Sequence, residues 1–347
     1  MLTDLRVSVL DQSTVVTGRT PASSIQESLT LARHCEALGY HRYWLAEHHN
    51  SASQAGTAPE VLMAAIAATT SRIRVGSAGV MLPHYASLKV AEVFRVLEAI
   101  APGRIDMGLG RAPGSDGRTA YALNPLADSA ADHFPSQVRD LLQWVRGEEL
   151  VEGHPFRGVA AQPGGPTAPQ PWILGSSDYG AQVAAYFGLP FCFAAFITDG
   201  RGTAEALEVY RSTYRPSANH PAPHAAICVW ALAADDEVEA ERQFLSRAVW
   251  RLGRDRGAYE PLPSPEEAAA YPFTAAERER MARTRSRAIV GTGPQVASQL
   301  EALARQHGAG EMVVLTTVHD PATRRRSYAA IAEAVGLQRT EVPRAAE

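Results

Sequence analysis

Lysine is almost missing from this sequence: Lys89 stands alone among 33 basic residues, so most lysine chemistry has nothing to rest on. Cysteine is scarce as well. Cys35, Cys192 and Cys228 are far apart, odd in number and without a CxxC spacing, which argues against a disulfide framework and a zinc site and leaves buried thiols in a reducing cytosol. No stretch approaches the roughly 18 apolar residues of a membrane-spanning helix, and the opening MLTDLRVSVL lacks the basic start of a secretion signal. A cytoplasmic protein is the expectation. A formal net charge of -4 provides no positive field to hold nucleic acid.

What is present is the composition of a packed enzyme, with 46% hydrophobic and 20% charged residues. Short β-rich runs alternate with helical patterns. LRVSVL is the first run, followed by a helix read to begin at a Ser24–Glu27 capping box and to close at Gly39. HRYWLA follows, then a second box from Thr57 to Glu60 opening the helix VLMAAIAATT, then RIRVGSA. Ser87 to Ile100 reads as a helix, RIDMGLG as a strand, Phe134 to Val145 as a helix and PWILG as a strand. Helices near Asp178–Phe187 and Ala204–Tyr214, with the strands LPFCFAA, AAICVWALA and EMVVLTT, complete eight strands. Eight strand–helix units predict an α/β protein, a (β/α)₈ TIM barrel of parallel strands forming one domain over residues 1–340. A doubly wound open sheet is the rival, but its G-x-G-x-x-G turn is absent: the first turn reads LDQSTVVTG. The Arg- and Pro-rich stretch 253–288 is an extended insertion between strands seven and eight, a lid or a plain surface excursion, and 341–347 is expected to be a flexible tail.

Barrel enzymes do their chemistry at the C-terminal ends of the strands. Strand two ends in Glu47-His48-His49-Asn50, too few ligands at matching spacing for a metal, so no metal is expected. Strand three ends in Ser77-Ala78-Gly79, small enough for a flat ring to approach the backbone. Strand four ends in Gly110-Arg111, and strand five in Gly175-Ser176-Ser177-Asp178-Tyr179, which leads straight into a helix. Free N–H groups at such a helix start, with an arginine nearby, suit a phosphate; the alternative is that Ser177 or Asp178 only caps its own helix.

WLAEHHN, RIRVGSAGVMLP, PGRIDMGLGRAPGSD, PWILGSSDYGAQVAA and AIVGTGPQVASQLEAL resemble, in order, the motifs of the bacterial luciferase-like flavin monooxygenases. The resemblance makes His48 the counterpart of the family's active-site histidine, with Glu47 and His49 beside it as further catalytic candidates. It places Arg111, Gly175, Ser176, Ser177 and Tyr179 at the flavin phosphate, and Ala78-Gly79 at a non-prolyl cis peptide under the isoalloxazine ring. Gly110 replaces a reactive cysteine of luciferase itself and Gly175 a carboxylate, so light emission is not implied. Where related sequences carry an Asn-His-x-Pro turn, this chain has His84-Tyr85-Ala86-Ser87. VLDQS, GRAPG and LGSS resemble members from actinobacterial secondary metabolism, aromatic polyketide pathways included.

The resemblance implies a cytoplasmic homodimer that takes reduced FMN from a separate reductase and uses O₂ to oxygenate an organic substrate. His48 would manage protons, because imidazole ordinarily titrates near neutral pH, with Glu47 orienting it. Two rivals stand beside this expectation: hydride transfer with the deazaflavin F420, and a non-catalytic flavin-binding protein. Trp44, Tyr85, Phe193 and Trp230 are aromatic candidates for a flat or long apolar substrate.

Overall fold

The structure is a computed structural model and describes residues 5–338 apart from Pro113 and Ser115. The expected tail at 341–347 lies outside the described residues. In chain order the first elements are β1 (Arg6–Asp11), α1 (Pro21–Ala37), β2 (Arg42–Leu45), α2 (Pro59–Thr69), β3 (Arg74–Ser77), β4 (Val80–Met81), α3 (Ser87–Ile100) and β5 (Ile105–Gly110). Next come α4 (Gly117–Leu123), α5 (Ala127–Asp132), α6 (Phe134–Arg146), β6 (Gln170–Gly175), α7 (Asp178–Phe187), β7 (Phe191–Ala194), α8 (Ala195–Thr198), α9 (Thr203–Ser212) and β8 (Ala225–Ala234). The last are α10 (Glu237–Asp255), α11 (Pro265–Ala269), α12 (Ala275–Arg285), β9 (Ile289–Thr292), α13 (Gly293–His307), β10 (Glu311–Leu315) and α14 (Pro321–Ala334).

Pairing runs β10-β1-β2-β3-β5-β6-β7-β8 and closes from β8 back to β10, all parallel, so the eight-stranded (β/α)₈ barrel is formed. The open-sheet rival is thereby ruled out. Two short strands lie off the ring. The run RIRVGSA forms one strand, β3, which ends at Ser77; the Ala78–Gly79 peptide is cis, and beyond it Val80 and Met81 form β4 against Leu109 and Gly110 of β5. Ile289–Thr292 adds β9, parallel to Ala231–Ala234 of β8.

Both expected helix starts move. Helix α1 begins at Pro21, with the Ser23 N–H donating to the Thr20 hydroxyl, and α2 begins at Pro59 after an Ala58 that makes no side-chain cap. In each case the proline, whose fixed φ suits a first helical turn and which has no N–H to satisfy, sets the start in place of the serine or threonine box. Between β8 and β9 the chain forms α10, α11 and α12; α10 already starts at Glu237, ahead of the stretch marked out at 253–288.

Strand alternation divides the side chains between two cores. Val7, Val9, Tyr43, Leu45, Val75, Ile105, Met107 and Leu109 point outward and pack under the helices. Leu10, Trp44, Trp172, Cys192, Cys228 and Val313 fill the barrel itself. Below them lies an ionic floor. Arg42 bonds Asp106 at 2.8 Å and Glu311 at 2.9 Å, Arg74 bonds Asp106 at 2.6 Å, and the Trp44 indole N–H donates to Asp106 at 2.9 Å. Burial acts to raise the Glu311 pKa, but Arg42, His224 and the Ser8 hydroxyl outweigh it and hold the carboxyl down at about 2. At the floor Arg42, Asp106 and Glu311 are thus buried, charged and paired.

Candidate active site at the barrel mouth

Following the same inward alternation upward leads to Gln12, Ala46, Ala78, Gly110, Leu174, Ala194, Trp230 and Thr317, all of which line a cavity of about 710 Å³. That volume is in the range of small-molecule sites. Glu47, His48, Gly79, Arg111, Gly175, Ser176, Ser177 and Tyr179 line it as well. Of the ten site residues read from the sequence, the structure gathers nine on this cavity.

His49 is the exception. Its Nε2 lies 2.8 Å from Glu47 Oε1, so it braces the carboxylate and does not face the cavity. Glu47 is buried and accepts two further bonds, from the Tyr85 hydroxyl at 2.5 Å and the Met81 N–H at 3.1 Å. The end of β2 is thus tied to the segment after β3, with the Tyr85 hydroxyl pKa raised by burial and by that carboxylate. Tyr85 is a brace, and Phe193 lies in the outer core; of the four aromatic candidates only Trp44 and Trp230 reach the cavity.

His48 is largely buried and its Nδ1 has no hydrogen-bond partner. Burial first, then the Arg254 guanidinium, push its pKa down to about 4. The expectation of an imidazole titrating near neutrality is corrected: this ring is neutral at pH 7, able to donate through one nitrogen and accept through the other.

Two strands further round the ring Arg111 is exposed, and its guanidinium lies 3.9 Å from the centre of the Tyr179 ring. No carboxylate among the described residues pairs with it. Ser177 occupies the N-cap of α7, yet its side chain makes no cap bond, so the alternative that it serves only as a cap is not realised. The first-turn N–H groups of α7 and the arginine leave an anion seat of the expected kind. Between seat and imidazole, the cis Ala78–Gly79 turn presses against β5: a Cβ at position 79 would lie 2.8 Å from the Gly108 carbonyl oxygen. At Gly110, in contrast, a Cβ would meet only one atom within 4 Å, at 3.8 Å, so that glycine leaves open space at the mouth.

The family of luciferase-like monooxygenases matches this chain over residues 5–311. The chain belongs to that family. A luciferase-like monooxygenase of Escherichia coli is 38% identical over 92% of this chain and 94% of its own length. The N-acetyl-S-alkylcysteine monooxygenase of Bacillus subtilis is 35% identical over 95% and 98%. Among solved structures, apo-MsnO8 superposes with a TM-score of 0.88 at 37% identity, covering 97% of this chain and 100% of its own. Two more distant barrels share the fold: a Baeyer-Villiger monooxygenase in complex with FMN, at TM-score 0.70 and 17% identity, and an F420-dependent secondary alcohol dehydrogenase, at 0.66 and 13%.

Sequence reasoning missed part of the cavity wall. Arg247, Trp250, Arg251 and Arg254 of α10, with Tyr259 beyond it, line the cavity too. The signal was readable, since positions 247, 251 and 254 share a helical face.

Proposed function

We propose that this luciferase-like monooxygenase uses reduced FMN, delivered by a separate reductase, and O₂ to oxygenate a small organic substrate at the barrel mouth. The observation that carries the reading is one cavity lined both by an arginine without a carboxylate partner among the described residues, beside a helix start without a side-chain cap, and by a largely buried imidazole. These residues fit FMN: Arg111, Ser176, Ser177 and the start of α7 suit its phosphate, and Ala78, Gly79 and Gly110 offer a wall without bulk for its ring. Reduced FMN, when bound, supplies the activation of O₂.

The chain's own work is positioning and proton control. Arg111 would hold the phosphate of the flavin, in the cavity that His48 also lines. The neutral His48 can hold a proton at one ring nitrogen and accept one at the other. Glu47, held by three hydrogen bonds, orients the segment that carries His48. Trp44, Trp230 and Trp250 give the cavity part of its apolar wall. The substrate named for the Bacillus relative, an N-acetylated S-alkylcysteine, is of a size that suits such a cavity.

Titrating the protein anaerobically with reduced FMN and with reduced F420, then admitting oxygen, tests the reading. Tight binding of FMN with oxygen uptake that rises on adding substrate is expected. Preference for F420 without oxygen uptake would turn the reading to hydride transfer. FMN binding with no turnover of any of a panel of thioethers, ketones and aromatics would leave a flavin-binding protein.

A further inference from the structure

Helix α10 carries Arg247, Trp250, Arg251 and Arg254 on the face that borders the cavity. The three arginines are not equivalent. Arg251 pairs with Asp199 at 3.0 Å and donates to the Phe196 carbonyl at 3.1 Å, so its charge is answered. Arg247 lies 4.2 Å from the centre of the Trp230 ring, at the divide between this cavity and a smaller one of about 350 Å³. It is only 4% exposed, and its Nη1 is buried with no hydrogen-bond partner. Arg254 stacks at 4.9 Å from Trp250 and 5.8 Å from Tyr259. The neighbouring Asp255 is bonded to Arg280 at 2.5 Å, and among the described residues neither Arg247 nor Arg254 has a carboxylate partner of its own.

Leaving a guanidinium buried and unpaired costs several kcal/mol, so chains keep such groups where something else answers the charge. Burial and the neighbouring guanidinium of Arg251 push the Arg247 pKa down to about 9, which still leaves a cation at neutral pH. The phosphate seat does not account for this pair. Arg111 follows β5, whereas α10 follows β8, three strands further round the ring. Arg254 also acts on His48, whose pKa its charge helps to lower, so this cation lies within electrostatic reach of the imidazole.

We propose that the cavity selects an organic anion, with the carboxylate of the substrate received by Arg247 and Arg254 and its apolar body lying among Trp230, Trp250 and Phe196. This rests on the reading of the cavity as the active site and adds the charge class of what enters it. Two guanidiniums on one helical face, neither with a carboxylate partner among the described residues, give this wall a positive charge that an organic anion would answer. The stacked indoles hold the guanidiniums in place and border the remainder of the molecule.

The test uses two acid–amide pairs, 4-phenylbutyrate with 4-phenylbutanamide and N-acetyl-S-benzylcysteine with its carboxamide. Binding to the flavin-free protein is followed by calorimetry and tryptophan fluorescence. In the wild type each acid is expected to bind at least about tenfold more tightly than its amide, a preference of about 1.4 kcal/mol. Arg247→Met and Arg254→Met should each bring that ratio to within about threefold of one while FMN affinity stays unchanged. Replacing an unpaired buried cation with methionine is not expected to unfold the chain. A wild-type ratio near one, no binding of either acid at millimolar concentration, or an unchanged ratio in both variants overturns the proposal. So does a parallel loss of FMN affinity, which would make α10 the phosphate seat. Because the ratio is read without flavin, failure of the FMN reading leaves it measurable.

Discussion

Replacing Arg111 with methionine isolates the phosphate seat, because methionine keeps an apolar stem over the Tyr179 ring and removes only the charge. A hydrogen bond to a charged group is worth about 1.5–3 kcal/mol net, and each 1.4 kcal/mol is tenfold in affinity. Taken at face value that is a loss of roughly tenfold to a hundredfold. Arg111 is exposed, however, so salt screens the pair and the lower half of the range is expected at physiological ionic strength, roughly 10- to 30-fold. Riboflavin supplies the control, since it has the same ring system and no phosphate. Anaerobic titrations of the wild type and Arg111→Met with FMN and with riboflavin, each reduced, should show FMN weakened by that factor and riboflavin unchanged within about twofold. Equal losses for the two ligands would mean that the variant has disturbed the cavity. No loss for FMN would place its phosphate away from Arg111, and the assignment of Ser176, Ser177 and α7 would go with it.

The other predictions concern the barrel floor and His48. Asp106→Asn leaves Arg42 and Arg74 short of a carboxylate they share, a buried pair whose breaking costs about 3–5 kcal/mol. At about 2 °C per kcal/mol for a chain of this size, the thermal midpoint should fall by roughly 6–10 °C. The exposed pair of Arg283 and Glu279 is the comparison, and Glu279→Gln should shift the midpoint by no more than about 1 °C. A change of similar size in the two variants would show that the floor is not the structural anchor described. For His48, the folded pKa of about 4 lies below the ordinary value of 6.5, so as pH falls through 6.5 the unfolded chain binds the proton first. Stability is therefore whole above pH 6.5 and is lost progressively toward pH 4, by at most about 3 kcal/mol from this group. His41, also near 4, adds a similar slope. Urea titrations of His48→Asn from pH 7 to 4 should show a shallower decline than the wild type, and an identical decline would mean that the imidazole is not held neutral by burial.

Most of the ring was legible because strand and helix alternate at periods of two and 3.6, and those periods survive packing. The exceptions have local causes. Pro21 and Pro59 outcompeted the serine and threonine boxes for the helix starts. The short strand Val80–Met81 beyond the run RIRVGSA went unread, because the turn before it depends on how closely Gly108 of the next strand approaches. Pairing of Tyr85 with Glu47 spans 38 positions and decides that His49 and Tyr85 are braces; no local pattern carries that information. Helix α10 was passed over although Ala240, Phe244 and Ala248 recur every four residues on its buried side. Which of its other faces meets the cavity is settled only by its packing on β8 and β9.

A division of labour follows from the alternation along each strand. On β2 and the residue after it, Arg42 lies in the floor, Trp44 fills the middle layer and Ala46 opens onto the cavity. The strand tips at the mouth are mostly small: Ala46, Ala78, Gly110, Gly175 and Ala194. Small tips can seat a flat group against backbone, but they have few atoms with which to tell one substrate from another. Discrimination then falls to the elements that cover the mouth, α8 and α10, which contribute Phe196, Arg247, Trp250 and Arg254. Exchanging residues on α10 should therefore change which molecule is accepted while flavin binding is retained, whereas enlarging the tips should weaken flavin binding whatever the substrate.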